Sequence, residues 1–337
     1  MKLRLLFAFF ALSLFITSCG SSDNLDGNWI KSSTFPGIER SGAVSFVIDD
    51  AVYVGTGFNG KDALTSFYKY TIEGDWKKVT DFPGTARLKA VAFTANGKGY
   101  VGTGVDDEDN RLSDFYEFNP NEVTTDGDIV TEGKWTLVTS EFPGSKRQDA
   151  VAFSIDNVGY VGTGYGFLEG EDRSLLKDFY KFENGVWSTI NFNGEKCRNT
   201  TSFVIGGKAY IVSGEGSAND VWEFDPAVGF TAKKSLNKDN KWEDVQRSEA
   251  VSFVISNKGY VATGKAGSYT NEVWEYNPAT DDWNEKTSLE YEVGAREGAV
   301  GFSLNNRGFI ATGQGGSYLS SMWEFNPTMK ETDDDNF

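Results

Sequence analysis

With 337 residues, 39% of them hydrophobic and 15% aromatic, the chain is long and apolar enough to bury a large core. Its 32 basic and 49 acidic residues give a formal charge of −17, which disfavours nucleic acid and anionic lipid headgroups as partners. Histidine is absent and cysteine occurs twice, so imidazole metal sites, histidine-based triads and a multi-disulfide framework are excluded.

Met1 to Arg4 form a short positive segment, and Leu5 to Ile16 an apolar run too short to cross a bilayer comfortably. The run ends in Ile16-Thr17-Ser18-Cys19, small residues leading to a cysteine. This resembles the lipobox of bacterial lipoproteins. The resemblance implies a signal peptide over 1–18, a diacylated and N-acylated (palmitate-type) Cys19, and a polar tether over 19–27. Several acyl chains on one residue suffice for stable anchoring. Gly20 stands where an aspartate would signal inner-membrane retention, so the expectation is an outer-membrane lipoprotein facing the periplasm or the cell surface.

Next come Asn28-Trp29-Ile30 and Phe35-Pro36-Gly37, and after them a repeat begins. An arginine is followed three residues later by Ala-Val-small-Phe at Arg40, Arg87, Arg147, Arg247 and Arg296, with a degenerate fourth copy at Arg198. Each unit continues with a strand ending in glycine, such as Tyr53-Val54-Gly55-Thr56-Gly57. An aromatic strand such as Phe115-Tyr116-Glu117-Phe118 follows, often closed by Asn-Pro or Asp-Pro. A fourth strand carries one tryptophan: Trp76, Trp135, Trp187, Trp242 or Trp283. A period of about 50 residues with four short strands is one propeller blade. The sixth unit stops after Trp323-Glu324-Phe325-Asn326-Pro327 without a fourth strand. The Trp29 segment matches the missing piece, so the N-terminal strand is expected to complete the last blade and remove an open edge.

The order of arginine, glycine-ended strand, aromatic strand and tryptophan resembles the kelch repeat, although Gly-Thr-Gly, Ala-Thr-Gly or Val-Ser-Gly replaces the double glycine. The expectation is an all-β chain: a six-bladed, kelch-like β-propeller of four-stranded antiparallel blades over 28–328. An acidic disordered tail over 329–337, with Asp333-Asp334-Asp335, would follow.

Antiparallel order places the arginine-bearing entries and the loops after each Gly-Thr-Gly on one face, here face A. The longest connections between third and fourth strands, 119–134 and 225–241, fall on the opposite face B. Two residues after each arginine stand Gly42, Lys89, Asp149, Thr200, Glu249 and Gly298; directly after each second strand stand Phe58, Val105, Tyr165, Glu215, Lys265 and Gln314. This charged, mixed rim suits a polar small molecule or a polypeptide loop, and equally suits plain solvation. The binding candidates are Arg40, Arg87, Lys89, Arg147, Asp149, Tyr165, Arg198, Glu215, Arg247, Glu249, Lys265, Arg296 and Gln314. An arginine present in every blade more readily serves the blade than a ligand, and the nine tryptophans are all accounted for by packing. Asp106, Asp107 and Asp109 form an oxygen-rich loop, as do Glu169, Glu171 and Asp172. Neither has the spacing of a recognised calcium loop, and solvated charge explains both.

The leading expectation is a membrane-tethered, monomeric, non-catalytic binding or scaffolding propeller without cofactor, recognising a protein or glycan through face A. The rival is an enzyme. Copper radical oxidases of the kelch type need histidine ligands, which this chain lacks. Sialic acid mutarotases are metal-free six-bladed kelch proteins, and that likeness leaves Glu249, Asp149 or Glu215 as general acid–base candidates on a sugar acid.

Overall fold

In each repeat the Ala-Val-small-Phe segment opens a five-residue strand whose side chains alternate between buried and half-buried. That period of two is what an innermost blade strand requires, with one row against the neighbouring blade and the other lining an axial channel. The computed structural model describes residues 25–167, 174–216, 220–236, 246–290 and 294–330. The signal segment, Cys19, most of the tether, Trp242, Glu169, Glu171, Asp172 and residues 331–337 lie outside these.

The described residues form six four-stranded antiparallel sheets. Blade 1 is Val44–Ile48, Ala51–Gly55, Phe67–Thr71 and Asp75–Val79. Blade 2 is Val91–Ala95, Lys98–Gly102, Phe115–Asp126 and Ile129–Thr139. Blade 3 comprises Val151–Ile155, Val158–Gly162, Phe179–Glu183 and Val186–Ile190. Blade 4 comprises Thr201–Ile205, Lys208–Val212, Val221–Asp225 and Gly229–Lys233. Blade 5 follows with Val251–Ile255, Lys258–Ala262, Val273–Asn277 and Asp282–Lys286. Blade 6 has Val300–Leu304, Arg307–Ala311 and Met322–Lys330, and takes its outer strand, Asp26–Lys31, from the N-terminal end of the described chain. The inner strands contact one another in blade order, and that of blade 6 meets that of blade 1. The molecule is a closed six-bladed β-propeller.

The N-terminal strand seals the ring as expected. Trp29 pairs with Phe325 and Ile30 with Glu324. The Trp29 indole is 1% exposed, donates to Thr287 O at 3.1 Å and packs on Phe253 and Phe325. Between blades, the inner-strand phenylalanine stacks on a second-strand aromatic, as in Phe46–Tyr53 and Phe253–Tyr260, and presses on the next blade. Gly99 has no room for a Cβ because the Phe46 ring occupies it, and Gly308 stands in the same relation to Phe253. Glycine lets each ring reach the neighbouring backbone.

Two connections differ from expectation. Segment 119–134 is the continuation of the two outer strands of blade 2, pairing as far as Asp126 with Ile129, and its irregularity between Asn119 and Val123 accommodates Pro120. The fourth strand of blade 4 is Gly229–Lys233, in which Phe230 pairs with Phe224 as Trp135 does with Phe118. A phenylalanine thus fills the slot assigned to Trp242.

Candidate functional site

The backbone at the face-A mouth of the channel closes on itself. Gly42, Lys89, Asp149, Asn199, Glu249 and Gly298 all have φ between 53° and 63°. Each N–H donates to the carbonyl of the equivalent residue in the preceding blade: Gly42 to Gly298 at 2.8 Å, Lys89 to Gly42 at 2.8 Å, Asp149 to Lys89 at 3.1 Å. Asn199 to Asp149 at 2.9 Å, Glu249 to Asn199 at 3.1 Å and Gly298 to Glu249 at 3.3 Å complete the circle. The left-handed conformation is unusual for non-glycine residues, and here the ring of hydrogen bonds holds it in place.

This ring corrects the reading of blade 4. Cys197, not Arg198, holds the arginine slot: Gly164 N donates to Cys197 O as Gly104 N donates to Arg147 O. Arg198 lies one residue further on, Asn199 takes the ring position, and Thr200 moves down to line the channel. An arginine adjacent to the slot concealed the offset.

The five true slot arginines leave the binding set. Arg40, Arg87, Arg147, Arg247 and Arg296 are at most 1% exposed. Arg87 donates to Thr103 O and to both oxygens of Asp114, Arg147 to Thr163 O and both oxygens of Asp178, and Arg247 to Glu272. Arg40 donates to Thr56 O and Ser66 Oγ, and Arg296 to Thr312 O and Ser321 Oγ. Burial pulls these last two guanidinium groups down to about 10. Buried and bonded inside their own blades, the five spend their guanidinium groups on the fold, although Arg247 also borders the cavity between blades 4 and 5.

The variable side chains of the ring do gather. Lys89 Nζ lies 2.8 Å from Glu249 Oε1 and 3.4 Å from Asp149 Oδ1. Asp149, its side chain 1% exposed, accepts from Gln148 Nε2 at 2.9 Å on Oδ2, while Oδ1 is buried without a hydrogen bond. Burial pushes the Asp149 carboxyl up against the opposing pull of Lys89. Burial also works against the Lys89 charge, but the two carboxylates outweigh it and hold the ammonium well above the ordinary lysine range. Further out, Arg198 pairs with Glu215 at 2.6 Å and, like Arg111, lies over the Tyr165 ring. Lys265 reaches Glu297 at 3.6 Å.

Asp149 and Glu249, two of the three carboxylates singled out in the sequence, therefore share one lysine, whereas Glu215 pairs with Arg198, which also lies 3.8 Å from Asp149 Oδ2 and links the rim to the cluster. Sequence reasoning overlooked Asn199, hidden by the one-residue offset in blade 4, Gln148 and Glu297, which directly follow slot arginines, and Arg111, which no repeat position marks. Beneath the ring the channel encloses about 240 Å³, lined by small residues including Ala43, Ser45, Ala150, Thr200, Ser252 and Gly301. A second cavity of about 420 Å³ opens between blades 4 and 5 beside Glu215, Gln246, Ser248 and Lys265.

No family model matches the chain. The fold nevertheless has a solved counterpart. The structure of YjhT is similar with a TM-score of 0.67, covering 86% of this chain and 94% of that one at 17% identity. At that identity the likeness is one of architecture.

The Asp106–Asp109 loop is engaged internally. Asp106 accepts from the Glu108 and Asn110 backbone amides, Asp107 from Ala63 N at 2.6 Å, and Asp109 pairs with Arg111. Among the described residues no group of three or more acidic, cysteine or histidine side chains is placed to hold a metal ion.

Proposed function

We propose that the chain is a kelch-type outer-membrane lipoprotein, tethered through Cys19, that binds a polar partner, either a glycan or a polypeptide loop, in the face-A mouth without transforming it. One observation carries the reading: six ring positions with a common backbone bear dissimilar side chains, and the charged ones converge on a single cluster around Lys89. A ring needed only for closure has no use for that convergence. Loops on a rigid scaffold are the usual place for recognition. The proposal is tested by calorimetric titration of neutral and charged saccharides and short peptides into the wild type and Glu249→Gln. A ligand whose affinity falls at least tenfold in the variant supports it; ligands indifferent to the change, or no binding by either class, refute it. The tether has its own check, since Cys19→Ser should abolish labelling by radioactive palmitate and release the protein from the membrane fraction.

A second reading is a metal-free mutarotase or epimerase acting on a sugar acid. It is favoured by Asp149, whose carboxyl is raised by burial and sits beside Glu249 with one oxygen held only by its ion pair to Lys89. Anomer exchange of sugar acids followed by magnetisation-transfer NMR decides it. Acceleration by wild type that vanishes in Asp149→Asn supports catalysis, and equal rates with and without protein exclude it.

A further inference from the structure

Blades 6 and 1 contribute only Gly298 and Gly42 to the ring, so no ring side chain projects into the mouth on that side. A Cβ on Gly298 would fall 2.2 Å from Ser41 Oγ and 3.1 Å from Glu249 Oε2. The backbone, the Ser41 hydroxyl and the Glu249 carboxylate are thus the floor of the gap. Phe58 stands at its edge, bridged through its backbone to Ser41, and meets the Tyr318 ring edge-to-face at 6.0 Å. Tyr318 also lies within electrostatic reach of Tyr269 and Glu297. All three rings are half-buried. Among the described residues, the Tyr269 and Tyr318 hydroxyls and the side-chain amide of Gln314 take no hydrogen bond within the chain, while Lys265 Nζ lies 6.0 Å from the centre of the Tyr269 ring. The tyrosine on the other side of the mouth is used differently, since Arg111 and Arg198 both lie against Tyr165.

We infer that the gap between blades 6 and 1 is a stacking subsite for a neutral pyranose ring of a glycan, with the near-perpendicular Phe58 and Tyr318 rings forming a corner around its C–H side and Gln314 and Glu249 at its hydroxyls. This rests on the proposed binding role of the same mouth and names its ligand class. A pyranose has one apolar face and a belt of hydroxyls, and the site presents an aromatic wall beside unspent donors and a carboxylate acceptor. A peptide anchor would ask instead for a desolvated apolar pocket, and the gap is floored by glycine backbone, the Ser41 hydroxyl and a carboxylate. A cationic ligand meets a site already supplied with Lys89 and Lys265, each on a carboxylate of this cluster.

The test is saturation-transfer difference NMR on the full chain with a panel of neutral disaccharides spanning gluco, galacto, manno and N-acetylglucosamine rings, followed by calorimetry on any that respond. Binding is expected to weaken at least tenfold in Tyr318→Ala and in Phe58→Ala. It should persist in Tyr318→Phe at a severalfold cost, and be unaffected in Val228→Ala on face B. Thermal unfolding of each variant separates loss of the site from loss of the fold. Saccharide binding lost in Glu249→Gln but unchanged in both alanine variants overturns the stacking subsite and leaves the mouth as a binding site. Binding of peptides alone does the same. Silence across both panels overturns both.

Discussion

Lys89 Nζ donates to Glu249 Oε1 at 2.8 Å across the mouth of the channel, although 160 residues separate the two in the chain. The contact exists only because the ring closes, and it joins blade 2 to blade 5 over the head of blades 3 and 4. With Asp149 it makes one ammonium serve two carboxylates.

Replacing Lys89 by methionine leaves those carboxylates facing each other, one of them with a side chain 1% exposed. Breaking a fully buried pair costs roughly 3–5 kcal/mol, and because Lys89 retains some solvent contact we expect about 2 kcal/mol at neutral pH. The pH dependence has a definite sign. The Lys89 ammonium is held above its unfolded value, so its contribution is complete below that value and is lost only in strong base. The Asp149 carboxyl is raised, so the folded state binds its proton more tightly and stability declines as pH climbs from the unfolded aspartate value through the folded one. Without Lys89 that decline extends to higher pH. Urea unfolding should therefore show the deficit of Lys89→Met at pH 7 shrinking as pH falls through the raised folded value toward the unfolded aspartate value of about 4, and smallest below it. A deficit independent of pH contradicts this account.

The propeller was legible because its devices are local and repeated. Arginine, inner-strand phenylalanine and second-strand glycine recur at one spacing since every blade meets the same neighbour, and the unpartnered third strand of blade 6 pointed to Trp29. What escaped was whatever departed from the repeat by one residue or one aromatic. Arg198 beside Cys197 imitated the slot, and Phe230 served where tryptophan was sought. The charged cluster was legible only as separate rim positions. Its assembly depends on where six distant residues meet, and only the closed ring determines that.

The vacancy in blade 4 yields a second prediction. In blades 1 to 3 the slot guanidinium lies over Phe35, Phe82 or Phe142. In blade 4, Phe192 precedes Cys197 by the same five residues as Phe142 precedes Arg147. Ser213 N donates to Asp220 O as Thr163 N does to Asp178 O, so Asp220 stands where an arginine's carboxylate belongs. Burial and the nearby Glu195 raise its carboxyl. Cys197→Arg should supply the missing cation, and charge-assisted bonds of this kind contribute roughly 1.5–3 kcal/mol. An arginine depresses the carboxyl, so the gain should be present at pH 7 and lost as pH falls through the new folded value. The contrast is Arg198→Ala, half-buried on the rim and paired with the more exposed Glu215, expected to cost about 1 kcal/mol. If Arg198→Ala proves the more damaging substitution in thermal melts, the slot assignment is wrong.

Closure itself is open to a direct test. The outer strand of blade 6 comes from the opposite end of the chain, and Trp29 fills the core between Phe253 of blade 6's neighbour and Phe325 of blade 6 itself. Truncating a buried tryptophan to alanine costs roughly 3–5 kcal/mol, and here the Thr287 carbonyl also loses its donor. Deleting 28–34 goes further. It removes Asn28 to Lys31 from the outer strand, and with them the partners of Trp323 to Asn326, exposing unpaired backbone along that edge. The deletion should lower the melting temperature far more than Trp29→Ala and bring concentration-dependent association through the bared edge. Adding the missing segment as a synthetic peptide should reverse both effects, because the interactions it makes are with strands already in place. A deleted protein that melts like the parent and stays monomeric would mean that the other five blades hold the ring without its seal.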